Sequence, residues 1–433
     1  MTRISLLANL LAFAATACAQ CGAGNPGATV DGSSGNYVAT ANGGQVYAGS
    51  DYRLAIQTAI DSVSAGQRVS VLASGGIGAS SIDIPSGKTF EVCGTLDVGF
   101  NNARGAIRSL GTSDVSIPYL TMTGNPYFGM QFYGTSNLHL GEIVLNLSGG
   151  IGIRFDRDAA SNSDVSMDSI RVTGAGSHAV ETFNINGLTI GEVIATDCGE
   201  SGLLIQTSTD VQVGYVEGNN VGAGTGYATL RFANNNGQLP DGSYDTNVYV
   251  DRVVSRGGGR GVFCVSQSGG AEIGTVDLAD NGNNAILIEN CYNLSILGGT
   301  VSGGGEVRLS ARDEFPNTRD ISITLRVDGT TVRESPQSLA PESCFKPSRA
   351  AAPPFPLELH HGQRRTGPLP HMQTYFDNFK AFPVTDNLKV QDVWDKRFTA
   401  GMANFEEGIA SHWSWGRIVL AGDAAASSRN AHT

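Results

Sequence analysis

From residue 128 onward the chain repeats one short alternation: an Asp, Asn or small residue, then apolar, any, apolar. It appears as Leu138/Leu140, Val165/Met167, Leu188/Ile190, Val211/Val213, Val248/Val250, Ala271/Ile273, Leu294/Ile296 and Ile321/Ile323. The first members lie 27, 23, 23, 37, 23, 23 and 27 residues apart. Upstream of most pairs a second strand opens on a small residue, at Gly129-Met130, Gly152-Ile153, Gly202-Leu203, Gly226-Tyr227, Gly261-Val262 and Ala285-Ile286. Period-two alternation marks strands with one buried face, and self-similarity at a fixed period of about 20 to 50 residues marks a solenoid. The pattern predicts an all-β fold, a right-handed parallel β-helix. One coil cannot bury its inward side chains alone, whereas stacked coils share an aliphatic column and pair their backbones. An antiparallel sandwich would need hairpins, which so regular a period does not suit.

Before the repeat, Ser50-Asp51 leads into YRLAIQTAIDSV, where Tyr52, Ile56, Ala59, Ile60 and Val63 share one helical face. A capping helix over the open end of the solenoid is expected there. The longer steps mark insertions at 156–164 (DRDAASNSD), 234–246 (NNNGQLPDGSYDT) and 311–320 (ARDEFPNTRD). All three follow the same strand of their coils, so they are expected to project from one side and wall a groove. Loops on a rigid scaffold are where binding groups concentrate.

Composition divides the chain. The three tryptophans, Trp394, Trp413 and Trp415, and five of the seven histidines follow residue 359. Residues 1–19 have a basic start at Arg3, an apolar run and a small-residue Ala17-Cys18-Ala19 end, the pattern of a signal peptide. Cleavage would leave six cysteines, Cys21, Cys93, Cys198, Cys264, Cys291 and Cys344. Disulfides are permitted, with the pairing open. Two glycosylation sequons, at Asn146 and Asn293, agree with export. The net charge of −12, without a basic run, argues against a nucleic-acid partner. The expected protein is secreted and extracellular, monomeric, and off the membrane once cleaved. Its expected partner is a polysaccharide, with no metal site.

The capping helix, the stretch VSVLASGGIGASSIDIPSGKTFEVCGTLDV and the following coils resemble the pectate-lyase-like superfamily of secreted fungal β-helix proteins, over roughly residues 22–335. The resemblance implies a carbohydrate-active β-helix domain at 20–335, needing no cofactor, and most often a polysaccharide lyase or glycoside hydrolase. A non-catalytic carbohydrate-binding or wall-surface role is the alternative.

Candidate chemistry follows the pattern. Ile151, Ile153 and Phe155 alternate with Arg154, Asp156 and Asp158, which places the charged three outward along one strand. Asp156 and Asp158 are candidate catalytic carboxylates, with Arg154 a clamp for a sugar carboxylate. His178 stands in the column held elsewhere by Gly152, Gly202, Gly226, Gly261 and Ala285, and Glu181 at a position apolar in most coils. A carboxylate buried there would suit a general acid. Arg231 and Arg260 are candidates to hold a uronate. Polygalacturonase-type hydrolases carry Asn-Thr-Asp, Asp-Asp, Gly-His-Gly and Arg-Ile-Lys segments; GSHAVE approaches the third, and the others have no counterpart.

After a proline-rich linker at 336–370, expected to be disordered, residues 371–433 resemble FAD-dependent monooxygenases of fungal secondary metabolism. VWDKR, EEG and WSWGRIVLAGDAA carry the likeness. It implies flavin contacts at Arg417, Gly422 and Asp423, with Asp423 on the ribityl chain. The family pattern continues with His, where Ala426 stands, and needs an N-terminal βαβ unit with a glycine-rich turn. GAGNPG at 22–27 spells GxGxxG without a preceding strand or a following helix. The segment is therefore expected to be an incomplete α/β flavoenzyme fragment. The alternative is that it names the function, an FAD-dependent oxidoreductase.

Overall fold

The computed structural model describes residues 20–334 and the backbone of short strands at 344–348, 383–385, 388–389, 414–415 and 418–419. The leader read at 1–19 lies outside the described residues. Long strands at Ser113–Gly124, Ser136–Leu147, Asn162–Thr173, Ile185–Thr196, Thr209–Asn219, Val248–Arg256 and Ser268–Ala279 stack in parallel, each in register with the next. Short strands form a second parallel stack, an eleven-stranded sheet that includes Phe128–Tyr133, Ile151–Phe155, Val180–Phe183, Leu203–Gln206, Ala228–Ala233 and Arg260–Cys264. This is a parallel β-solenoid, and the sequence repeats are its coils.

Each coil has three faces rather than the two that the alternation suggests. Along Ser136–Leu147 the buried apolar residues run Leu138, Leu140, Ile143, Leu145. The step of three between Leu140 and Ile143 slips the inward phase by one residue, so the strand bends and supplies two faces. The same slip separates Met167 from Ile170 and Ile190 from Val193. The bend is tight: a Cβ on Gly141 would lie 2.3 Å from the Pro118 carbonyl oxygen, and one on Gly191 2.4 Å from that of Asp168.

The Asp, Asn or small residue that opens most repeats also finds its cause. Asp114, Asn137, Asp164, Asp210, Asn293 and Asp320 all adopt left-handed backbone, with φ between 49° and 58°, and Gly187 fills the same place at 80°. Asn and Asp tolerate this conformation because their short polar side chains bond locally, and glycine because it lacks a Cβ.

The start of the solenoid is closed by an antiparallel meander, Ala28–Ser33, Asn36–Ala41 and Gly44–Gly49, and the helix Tyr52–Asp61. Ala28–Ser33 also pairs in parallel with Arg68–Val71, which joins the meander to the first coils. Asp51 caps the helix by accepting from the Leu54 N–H at 2.9 Å. The helix buries Tyr52, Ile56, Ala59 and Ile60, as its periodicity predicts, together with Ala55. Disulfides join Cys21 to Cys93 and Cys264 to Cys291, whereas Cys198 is unpaired and buried, and burial lifts its thiol to about 11. The linker read at 336–370 contains a strand, Cys344–Ser348, that stacks in parallel on Arg319–Asp328.

Leu188 is fully buried in one column of this core. Leu188→Ala is expected to cost about 2–5 kcal/mol, and Asp51→Ala about 1 kcal/mol, read as shifts in urea midpoint at constant slope. A Leu188→Ala cost no larger than that of Asp51→Ala would contradict the stacked core.

Candidate functional site

The outward side of the short-strand sheet carries most of the predicted chemistry. Register places Gln131, Arg154, Glu181, Leu204, Arg231 and Phe263 in one column, one residue per coil. Glu181 therefore stands in a mixed outward column, not in one that is apolar in most coils. The placement of His178 also changes. Val180 pairs with Ile153 and Leu203, so Ala179 occupies the small-residue column of Gly152 and Gly202, and Thr229 rather than Gly226 continues it. His178 lies one residue earlier. Ala179 also keeps the regular steps of the repeat, 27 residues after Gly152 and 23 before Gly202.

Arg154 joins two of the predicted carboxylates. Its Nε lies 3.3 Å from Asp156 Oδ1, and its Nη1 donates to Glu181 Oε2. The other Asp156 oxygen accepts from Gln131 Nε2 at 2.8 Å, and Glu181 Oε1 accepts from Gln206 Nε2 at 2.9 Å. Gln206 is in turn held by Asn234 Nδ2 at 2.6 Å, from the 234–246 insertion. Glu181 is buried at 3% exposure, so this charge is sustained by donors from the two flanking coils, Arg154 and Gln206. Asp158 stays apart: it is exposed in the turn after the strand, at φ 57°.

His178 is committed on both sides of its ring. The Ser201 backbone N–H donates to Nδ1 at 3.0 Å, which places the neutral ring's proton on Nε2, 3.0 Å from Glu200 Oε2. Ser177 Oγ donates to the same Glu200 oxygen. Burial holds the imidazole below its usual range, against the pull of Glu181 and Glu200, with Arg231 and Arg154 adding to the lowering. His178 is thus held as a neutral donor to Glu200.

Beyond the acidic cluster the face turns cationic and aromatic. The Arg231 guanidinium lies 4.7 Å from the Tyr227 ring centroid and 5.0 Å from that of Phe263, and the Arg260 guanidinium lies 4.6 Å from the same Phe263 centroid. Arg260 also donates from Nε to Asn284 at 2.9 Å. Arg231 Nε is buried with no hydrogen-bond partner among the described residues. Burial disfavours the charge on both guanidinia, and they repel one another. An anion between them would relieve both effects.

Sequence reasoning missed Glu200, Gln206, Gln131, Tyr227 and Phe263. The coil period contains the first two: Glu200 follows Ser177, and Gln206 follows Phe183, by 23 residues. The insertions at 156–164, 234–246 and 311–320 do follow strands of this one sheet, Ile151–Phe155, Ala228–Ala233 and Glu306–Ser310. Two cavities, of about 500 and 300 Å³, lie off the charged face, along the corner where the short strands turn into the long ones. The charged cluster is an open face and lines neither.

No protein family and no solved structure matches the chain. A short stretch is similar to FAD-dependent monooxygenases. FAD-dependent monooxygenase DEP2 of Fusarium langsethiae is 50% identical over 42 residues, 10% of this chain and 8% of that protein. FAD-dependent monooxygenase SAT1 of Stachybotrys chartarum is 50% identical over 50 residues, 12% of this chain and 17% of that protein. FAD-dependent monooxygenase anuJ of Penicillium roqueforti is 42% identical over 60 residues, 13% of this chain and 7% of that protein. The chain spans less than a fifth of these curated relatives.

Arg417, Gly422 and Asp423 lie outside the described residues; next to them, Ser414–Trp415 and Ile418–Val419 pair antiparallel. Neither of the two features among the described residues that resemble parts of a dinucleotide site fits a flavin dinucleotide. GAGNPG leads into an antiparallel meander, and the helix N-terminus at Tyr52 is already closed by the Asp51 carboxylate, which would repel a phosphate.

The histidine gives a pH test. Its folded-state pKa lies below the ordinary 6.5, so the unfolded chain binds the extra proton first as pH falls. The corresponding stability is complete above about pH 6.5 and declines below it, down to the folded pKa. Melting temperature followed against pH should therefore fall less steeply below that point in His178→Gln than in the wild type. Parallel curves would contradict the assignment.

Proposed function

We propose that the protein is a secreted carbohydrate-active β-solenoid, a polysaccharide lyase or glycoside hydrolase of the plant or fungal cell wall, whose substrate carries uronate groups. One observation supports this best: the Arg154, Asp156 and Glu181 cluster adjoins the Arg231, Phe263 and Arg260 stack on a single face. Carboxylates able to accept or deliver a proton stand beside guanidinia able to neutralise a sugar carboxylate. In an elimination, one carboxylate takes the proton alpha to the uronate carboxyl, whose charge Arg231 and Arg260 offset; a double bond forms between the alpha and beta carbons as the glycosidic C–O bond at the beta carbon breaks, and the departing oxygen takes a proton from a carboxylic acid or water. In a hydrolysis, one carboxylic acid protonates that oxygen while the second carboxylate directs water or attacks.

The purified full-length protein is tested on a panel of acidic and neutral polysaccharides, scoring unsaturated ends for elimination and reducing ends alone for hydrolysis. Glu181→Gln is expected to lower kcat by about 10²- to 10⁴-fold, and Arg231→Ala to act mainly through KM. No turnover by the folded wild type on any glycan would replace the enzymatic reading with the carbohydrate-binding one.

The short likeness to FAD-dependent monooxygenases supports a second reading, a flavin-dependent oxidoreductase segment that uses Arg417, Gly422 and Asp423. An absorbance spectrum of the purified full chain separates the two. The solenoid reading expects no flavin band, and a near-stoichiometric one would overturn it. Export is checked on the same material. Asn146 is exposed, whereas Asn293 Nδ2 is bound to the Tyr244 carbonyl at 2.7 Å and to Thr246 Oγ1 at 3.1 Å. Glycan is expected on Asn146 in the secreted protein.

A further inference from the structure

The corner where the short strands turn into the long ones carries a different chemistry from the charged face. Register places Ser136, Ser163, Asn186 and Thr209 in one row, one residue per coil, and all four line the cavity of about 300 Å³. Ser161, at the end of the first insertion, lines it too. Coils in register repeat every ~4.8 Å, so the row offers a hydroxyl or amide at each step along the axis. Thr209 Oγ1 donates to Asn186 Oδ1 at 3.2 Å, which turns the Asn186 amide nitrogen outward as a donor. The Ser136, Ser161 and Ser163 hydroxyls have no hydrogen-bond partner among the described residues. No charged side chain lines this cavity. One coil position along, Asp164 and Asp210 stand exposed at its edge. The cavity of about 500 Å³ continues the same corner toward the capping helix, past Ser86 and Thr112, but Asp61, Asp83 and Arg108 line it too, so the neutral stretch is confined to the smaller cavity.

We infer that this corner is a second carbohydrate subsite, which holds a neutral polysaccharide chain running along the solenoid axis. A row of evenly spaced neutral donors and acceptors matches a linear polymer whose every unit carries hydroxyls. The exposed Asp164 and Asp210 disfavour uronates at the corner, just as the guanidinia favour them on the sheet. The protein thus sorts two sugar chemistries onto two sides: acidic units on the charged face, neutral ones in the groove. The inference rests on the polysaccharide reading only in taking the ligand to be a glycan, and turnover is not its readout.

Native affinity electrophoresis of the full-length protein tests it, in gels containing xyloglucan, galactomannan or mixed-linkage β-glucan, with polygalacturonate as the charged arm. The wild type is expected to be retarded by at least one neutral glycan. The Asn186→Ala/Thr209→Ala double variant should weaken that retardation about tenfold, and Glu181→Gln should leave it unchanged. If the double variant fails to fold, Ser161→Arg, at an exposed position, blocks the groove by size instead. No retardation by any neutral glycan overturns the inference, and so does a folded variant that migrates as the wild type. Loss of polygalacturonate retardation in the groove variants also overturns it, because the groove would then hold acidic units. Failure of the Glu181→Gln and Arg231→Ala turnover tests leaves these outcomes readable on their own.

Discussion

The pairing of each coil with the next is the interaction on which the rest of this structure depends. Parallel backbone ladders fix the register, and register puts Leu138 over Val165, Val165 over Leu188 and Leu188 over Val211. A slip of one residue would turn every inward column outward. The constraint explains where the chain tolerates change. Two faces meet at a bend so tight that Gly141 and Gly191 lie against the preceding coil's backbone, and no insertion occurs there. The corner after the short strands is open, and all three insertions of the repeat sit on it.

The same ladder governs the outer surface. Arg154, Glu181 and Arg231 come from strands separated by 27 or more residues, yet they occupy one column because their coils are stacked. A buried carboxylate is costly unless donors meet it. Here they come from the coil above and the coil below, and Asn234 from the insertion in turn holds Gln206. Stability and site geometry are therefore one problem, since Gln206 and Arg154 hold Glu181 in place and also keep its charge supported. Along the axis the potential changes sign, from the carboxylates near Asp156 to the stacked guanidinia near Phe263. A ligand lying along the face would meet both.

The flavin likeness belongs to a different architecture. Dinucleotide sites rest on a parallel strand feeding an uncapped helix N-terminus. The solenoid spends its parallel strands on coil stacking, and its helix on closing one end, with a carboxylate at the cap. In residues 20–334 neither the GAGNPG turn, which leads into an antiparallel meander, nor the capped N-terminus of the helix offers a pyrophosphate that kind of site.

What could be read from the sequence was what repeats. The alternation, the 23-residue step, the amphipathic helix and the common side of the insertions are all local or periodic, and each carries its own physical signal. The second face of each long strand was also present, in the step of three from Leu140 to Ile143, but a search for strict alternation passes over a phase slip. What only the tertiary structure decided was alignment. Insertions of unequal length shift the count between coils, so the sequence reading set Gly226 in the glycine column where backbone pairing puts Thr229, while Ala179 takes the place read for His178, which is bonded to Ser201 and Glu200. The disulfide partners, the free Cys198 and the grouping of Arg154 with Asp156 and Glu181 but not Asp158 were settled the same way. Composition and period determined that the chain would stack; hydrogen-bonded register, acting between residues distant in sequence, determined which side chains would meet.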